Sequence, residues 1–101
     1  MDIGKTIANL RKSKDITQDD LAKKSNITQA YLSQIEKNRK EPNLSTIKDI
    51  CLALGVPLAV LFFMALESSD VPANKQEMFN VMQPSMSGFF KTIFENEPSG
   101  N

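Results

Sequence analysis

Histidine is absent from this 101-residue chain. That removes the commonest metal ligand and the commonest general base at neutral pH. Cysteine occurs once, at Cys51, so no disulfide can close within the chain and a reducing interior fits. Its neighbours Ile50, Leu52 and Leu54 make it a core residue rather than a redox sensor. There is no glycine-rich loop to cradle a phosphate and no pairing of nucleophile with base. An enzyme is therefore excluded, and no cofactor, metal or small-molecule ligand is expected. Long hydrophobic runs are missing too. The longest, Leu58 to Leu66, is about half what a bilayer span needs, and Met1-Asp2-Ile3-Gly4-Lys5 does not open a signal peptide. The expectation is a cytoplasmic protein with no membrane segment. No stretch alternates apolar with polar residues, so no sheet is expected and the fold class is all-α.

What is present is ordinary in amount and uneven in distribution. Apolar residues make up 41% and charged residues 24%, with a formal net charge of zero. The first 66 residues hold 10 Lys/Arg against 7 Asp/Glu, and the remainder holds 2 against 5. Neutrality thus hides a chain that is +3 at its N-terminal end and −3 at its C-terminal end.

Helical spacing organises the first 66 residues into five short helices. Ile3, Ile7 and Leu10 define the first, ending near Ser13. Thr17 is an N-cap, with Asp20 in the place of a capping-box acid, for a second helix over 18–24 with Leu21 and Ala22 inward. Ser25-Asn26 breaks it, since Asn tolerates the left-handed conformation. Thr28 caps a third helix over 29–37 with Leu32 and Ile35 inward, and the polar, basic stretch 38–42 forms a loop. Asn43 caps a fourth, carrying Leu44, Ile47, Ile50, Cys51 and Leu54, which Gly55 stops; Pro57 opens a fifth over 58–66. The two expected domains are 1–66 and a helical tail, 67–101. In the tail, Glu67 to Pro72 reads as a linker or sharp turn. Met78, Phe79, Met82, Met86, Phe89, Phe90, Ile93 and Phe94 then recur at steps of three and four. Pro84 interrupts them, predicting two short helices or one kinked helix, and Glu97 to Asn101 should fray.

The informative feature is the helix pair around Asn26. A capped helix, a short turn and a second capped helix make a helix-turn-helix layout, with small Ala22 allowing close approach. The outward face of the second helix carries Gln29, Ala30, Ser33 and Gln34. Glutamine can bond an adenine edge in bidentate fashion and alanine can contact a thymine methyl. A merely solvated helix face carries the same residue types, so the flanking chemistry decides. Gln18 stands in the first turn of the preceding helix, where unpaired N–H groups attract an anion. Lys37, Asn38, Arg39 and Lys40 follow the reading helix directly, as phosphate contacts would.

The stretch Arg11 to Val56 resembles the phage repressor/Cro-type (XRE) helix-turn-helix family of DNA-binding transcriptional regulators. Three motifs in family order carry the resemblance: Thr17-Gln18-x-x-Leu21-Ala22, Tyr31-Leu32-Ser33-x-Ile35-Glu36 and Pro42-Asn43-Leu44-x-Thr46-Ile47. It implies a five-helix repressor-like domain that reads a double-stranded DNA operator, most simply as a repressor. It assigns base reading to Gln29, Ala30, Ser33 and Gln34. Phosphate contact falls to Thr17, Gln18, Thr28, Tyr31, Lys37, Asn38, Arg39 and Lys40. It also implies a partly buried salt bridge between Arg11 and Glu36 that orients the reading helix. The sequence departs from the family at Asn26 and Asn38, where glycine is frequent, and at Ser25, where an apolar residue is common.

One such module binds DNA weakly, and two-fold dimers on half-sites about 34 Å apart are the usual geometry. A homodimer through the helix 57–66 and the Met/Phe-rich tail 75–94 is therefore expected. Two alternatives stand beside this reading: a tail that folds back to complete a monomeric core, and an adaptor that binds protein on the same scaffold.

Overall fold

The early helices start where a small polar side chain closes the first turn. The structure is a computed structural model that describes residues 1–94. Asp2 accepts from the Lys5 amide at 2.9 Å and opens α1 (Ile3–Ser13). Thr17 accepts from Asp20 N–H at 3.1 Å and opens α2 (Gln18–Lys24). Thr28 accepts from Tyr31 N–H at 3.0 Å and opens α3 (Gln29–Glu36). Asn43 accepts from Thr46 N–H at 2.8 Å and opens α4 (Leu44–Leu54). Each cap satisfies one of the amides that a helix start leaves unpaired.

The exits are equally local. Asp15, Asn26, Asn38 and Gly55 all take left-handed backbone, with φ of 56°, 59°, 58° and 71°, just past the ends of α1, α2, α3 and α4. A left-handed residue reverses the chain after a helix. Short polar side chains do this at three of the four exits. Lys37 and Leu66 turn out to be the flanking residues of α3 and α5 (Leu58–Ala65) rather than their last helical ones.

The core joins all five helices. Ile7 and Leu10 of α1, Leu21 and Ala22 of α2, Leu32 and Ile35 of α3, Ile47, Ile50, Cys51 and Leu54 of α4 and Leu61 of α5 are buried together. Ile16 and Val56 close it from the connections. Each fully buried Leu or Ile contributes about 1.5–3 kcal/mol. Burial pushes the Cys51 thiol up to about 11, so it stays protonated within the core. The apolar helices α4 and α5 meet at a 102° bend, and among the described residues no single helix is long and apolar enough to cross a membrane.

Two 3₁₀ turns, Ser68–Asp70 and Ala73–Lys75, lead into α6 (Gln76–Phe94). The tail forms one 19-residue helix with Pro84 inside it, instead of two short helices divided there. Proline removes the N–H that would bond the Asn80 carbonyl. Both residues are exposed, so water can serve that carbonyl and the helix continues.

One face of α6 returns to the body. Phe90 meets Phe63 of α5 edge-on with centroids 5.2 Å apart, Phe94 packs against the core, and the Lys14 ammonium donates to the Phe94 carbonyl. The other face leaves Met78, Val81, Met82, Met86, Phe89 and Ile93 exposed. The fraying expected for Glu97 to Asn101 lies outside the described residues.

Candidate nucleic-acid interface

Helix α3 has two unlike sides. Leu32 and Ile35 are 0% and 1% exposed and fix it to the core. Gln29 and Ala30 are exposed, while Ser33 and Gln34 are half-buried. A helix with a polar outer side has the dimensions that a major groove admits. Ala22 of α2, itself buried, lets α3 come close across the turn at Asn26.

The orientation of α3 is set by an ion pair at its end. Arg11 Nε donates to Glu36 Oε2 at 2.8 Å and Arg11 Nη2 to Glu36 Oε1 at 3.0 Å, a bidentate clamp from α1 to α3. The two side chains are only 10% and 6% exposed. Arg11 Nη1 also donates to the Ile16 carbonyl at 2.9 Å, which ties in the turn between α1 and α2. The Gln18 amide donates to Glu36 Oε1 at 2.9 Å, joining the start of α2 to the same carboxylate. One glutamate thus fixes three helices.

That network engages one N–H of the Gln18 amide with Glu36 and leaves the second able to donate elsewhere. Asp19 and Asp20 in the same first turn already complement the helix dipole. The hydroxyls of Thr17 and Thr28 accept from the backbone as caps and still have their own O–H to donate. Lys40 Nζ lies 6.0 Å from the centroid of the Tyr31 ring, which brings those two residues together. Lys37, Arg39 and Lys40 are all exposed. The Arg39 and Lys40 amides donate to the Gln34 carbonyl at 2.9 and 3.3 Å, so the basic loop folds back on α3.

Asn38 stands apart from its cationic neighbours. Its Oδ1 accepts from Gly4 N–H at 3.2 Å and its Nδ2 donates to Asp2 Oδ1 at 2.7 Å. The Asn38 amide, and next the Lys5 N–H, hold the Asp2 carboxyl below its ordinary range. A depressed carboxyl stabilises the fold fully at neutral pH and loses that contribution as acid protonates it.

The sequence pattern gave Gly4 and Asp2 no role. A Cβ on Gly4 would run into the Ile35 carbonyl oxygen, so the start of α1 and the end of α3 meet backbone to backbone. The available signal was a glycine in a helix, which costs about 1 kcal/mol relative to alanine and calls for a packing reason. Among the described residues no group of three or more His, Cys, Asp or Glu side chains is placed to hold a metal ion.

An all-helical body that grips a capped helix from behind, with a basic loop at that helix's exit, defines a compact helix-turn-helix protein. A family model described as Helix-turn-helix matches residues 7–61. The chain belongs to this family, in its XRE-type form. It is 38% identical over 61 residues to the immunity repressor protein of Bacillus phage phi105. It is 34% identical over 65 residues to the transcriptional regulator ClgR of Mycobacterium tuberculosis. These stretches are 60% and 64% of this chain but only 42% and 58% of the relatives' lengths. The fold is similar to the crystal structure of the clp gene regulator ClgR from Corynebacterium glutamicum. The TM-score is 0.65 at 28% identity, covering 85% of this chain and 92% of that one.

Proposed function

We propose that this chain is a sequence-specific transcriptional regulator that binds double-stranded DNA by laying α3 in the major groove. The observation that carries this reading is the division of α3, with Leu32 and Ile35 locked inside while Gln29 and Ala30 face outward. Gln29, Ala30, Ser33 and Gln34 read base edges, each good bidentate pair being worth about 1–3 kcal/mol of discrimination. Lys37, Arg39, Lys40 and Tyr31 lie along phosphates, with the hydroxyls of Thr17 and Thr28 donating beside them. Gln18 contributes through Glu36 and through the second N–H of its amide, which can donate to a phosphate. The name of the phage relative supports a repressor. Such a protein works in the cytoplasm of a bacterium or an infected host cell.

DNA occupancy comes from a homodimer. Helix α5 is largely covered, with Leu61 and Ala65 buried and Val60, Phe62, Phe63 and Met64 half-buried. The exposed apolar stripe of α6 is therefore the stronger half of the contact expected between copies. Its residues repeat at helical steps and so form one continuous patch, which a two-fold contact between copies would use on both sides.

Selection of bound sites from a random duplex library tests the reading and yields the half-site with its spacing. On the selected site, Gln29→Ala and Gln34→Ala should relax sequence preference with little effect on mixed DNA. Arg39→Ala should weaken every sequence alike. Equal losses on all sequences for all three variants would remove the division of roles.

A further inference from the structure

The Asn38 carboxamide makes bonds that neither a phosphate contact nor a helix exit requires. It ends α3 in left-handed backbone and at the same time caps another helix. Gly4 and Lys5 belong to the first turn of α1, whose amides have no partner inside the helix. The Asn38 oxygen takes the Gly4 amide, and Asp2 takes the Lys5 amide at 2.9 Å. The Asn38 nitrogen then donates to that same Asp2 oxygen at 2.7 Å. The Asp2 main chain is fixed in turn, since its N–H donates to the Ala65 carbonyl at 2.8 Å at the end of α5.

From this geometry we infer that Asp2, Gly4 and Asn38 form a latch that sets the position of the basic loop 37–40, and that Asn38 and Asp2 are positioning residues for phosphate binding. The inference rests on the DNA-binding reading above. Three details make the latch specific. The carboxamide supplies an acceptor for Gly4 and a donor for Asp2 from two separate atoms of one side chain. Aspartate at 38 would set a second carboxylate against Asp2. Glycine at 38 would keep the left-handed backbone and lose both bonds. At residue 4 only glycine lets the two helix ends approach, since a Cβ there would also stand 2.5 Å from Asn38 Oδ1.

The consequence runs against simple electrostatics. Asp2 is an acidic residue beside a phosphate-binding loop, so removing its charge should by itself strengthen DNA binding. Through the latch, Asp2→Ala weakens it instead. Asn38→Gly removes no charge, yet it lowers the number of phosphates that the loop neutralises.

The test uses the full-length wild type, Asp2→Ala, Asn38→Gly and the double variant, bound to a mixed-sequence duplex across a salt series. Each single variant should bind about tenfold more weakly, the equivalent of one or two broken hydrogen bonds. The double variant should be no weaker than either single, because both break one device. The slope of log K against log salt should flatten by about 0.9 for each phosphate that the loop no longer neutralises, also for the uncharged change at 38. In the DNA-free proteins, the amides of residues 37–40 should exchange faster in both variants. Tighter binding by Asp2→Ala, or an unchanged slope and unchanged exchange for Asn38→Gly, overturns the latch and leaves the DNA-binding reading intact. A wild type that fails to retain the duplex at low salt overturns both.

Discussion

Ser25 buries its hydroxyl at 1% exposure with no hydrogen-bond partner. An unsatisfied buried hydroxyl costs about 1–3 kcal/mol. The position is the one where the family commonly has an apolar residue. Ser25→Ala keeps the volume nearly constant and removes the unpaired group. Urea unfolding should show a gain of about 1 kcal/mol. A loss of stability would mean that the hydroxyl serves the backbone at the end of α2. The serine was conspicuous in the sequence as a departure, but whether it found a partner depended on packing that no local pattern contains.

At the scale of elements, the helices are joined by few but expensive links. The Arg11–Glu36 clamp is the clearest, and its burial decides its magnitude. An exposed pair contributes about 0–1 kcal/mol, whereas removing one partner of a buried pair costs about 3–5 kcal/mol because the other charge is stranded. Arg11→Ala should therefore lower unfolding stability by about 3 kcal/mol or more. Gln18→Ala, which leaves the clamp in place, should cost only about 1 kcal/mol. A loss below about 1 kcal/mol for Arg11→Ala would show that Glu36 is satisfied without it.

The starts of α2, α3 and α4 were legible in the sequence because each cap is a contact between residues three apart. Thr17, Thr28 and Asn43 close on the amides of Asp20, Tyr31 and Thr46. The links between elements were less accessible. The bonds from Asn38 to Asp2 and Gly4 span more than thirty residues, and the commitment of Gln18 to Glu36 spans eighteen. Pro84 left two short helices or one kinked helix open from sequence, and a single helix runs through it because the carbonyl that the proline orphans can reach water. On α6 that carbonyl belongs to exposed Asn80.

The whole molecule places a polar, basic surface at α3 and an apolar one on α6. The tail folds back along one face and leaves the other uncovered. Phe90 and Phe94 complete the body, while Met82 and Phe89 remain 54% and 58% exposed. An exposed apolar stripe of this kind is what a contact between copies would use. The full chain should sediment as a dimer at micromolar concentration. Met82→Glu with Phe89→Glu should give a monomer that keeps most of its helix content, since both side chains are more than half exposed and only the Phe89 ring touches the packed Phe90. A wild type that sediments as a monomer would remove the dimer from the account. DNA affinity should fall with the dimer, because each copy alone then engages one half-site.

The claim on which the rest depends is that the outward side of α3 meets the duplex. Amide chemical shifts of the labelled full chain, followed while a mixed-sequence duplex is titrated in, address it directly. The largest changes should fall on Gln29, Ala30, Ser33, Gln34 and the loop from Lys37 to Lys40, and should fade as salt is added. Changes gathered on α6, or none at any salt concentration, would contradict it.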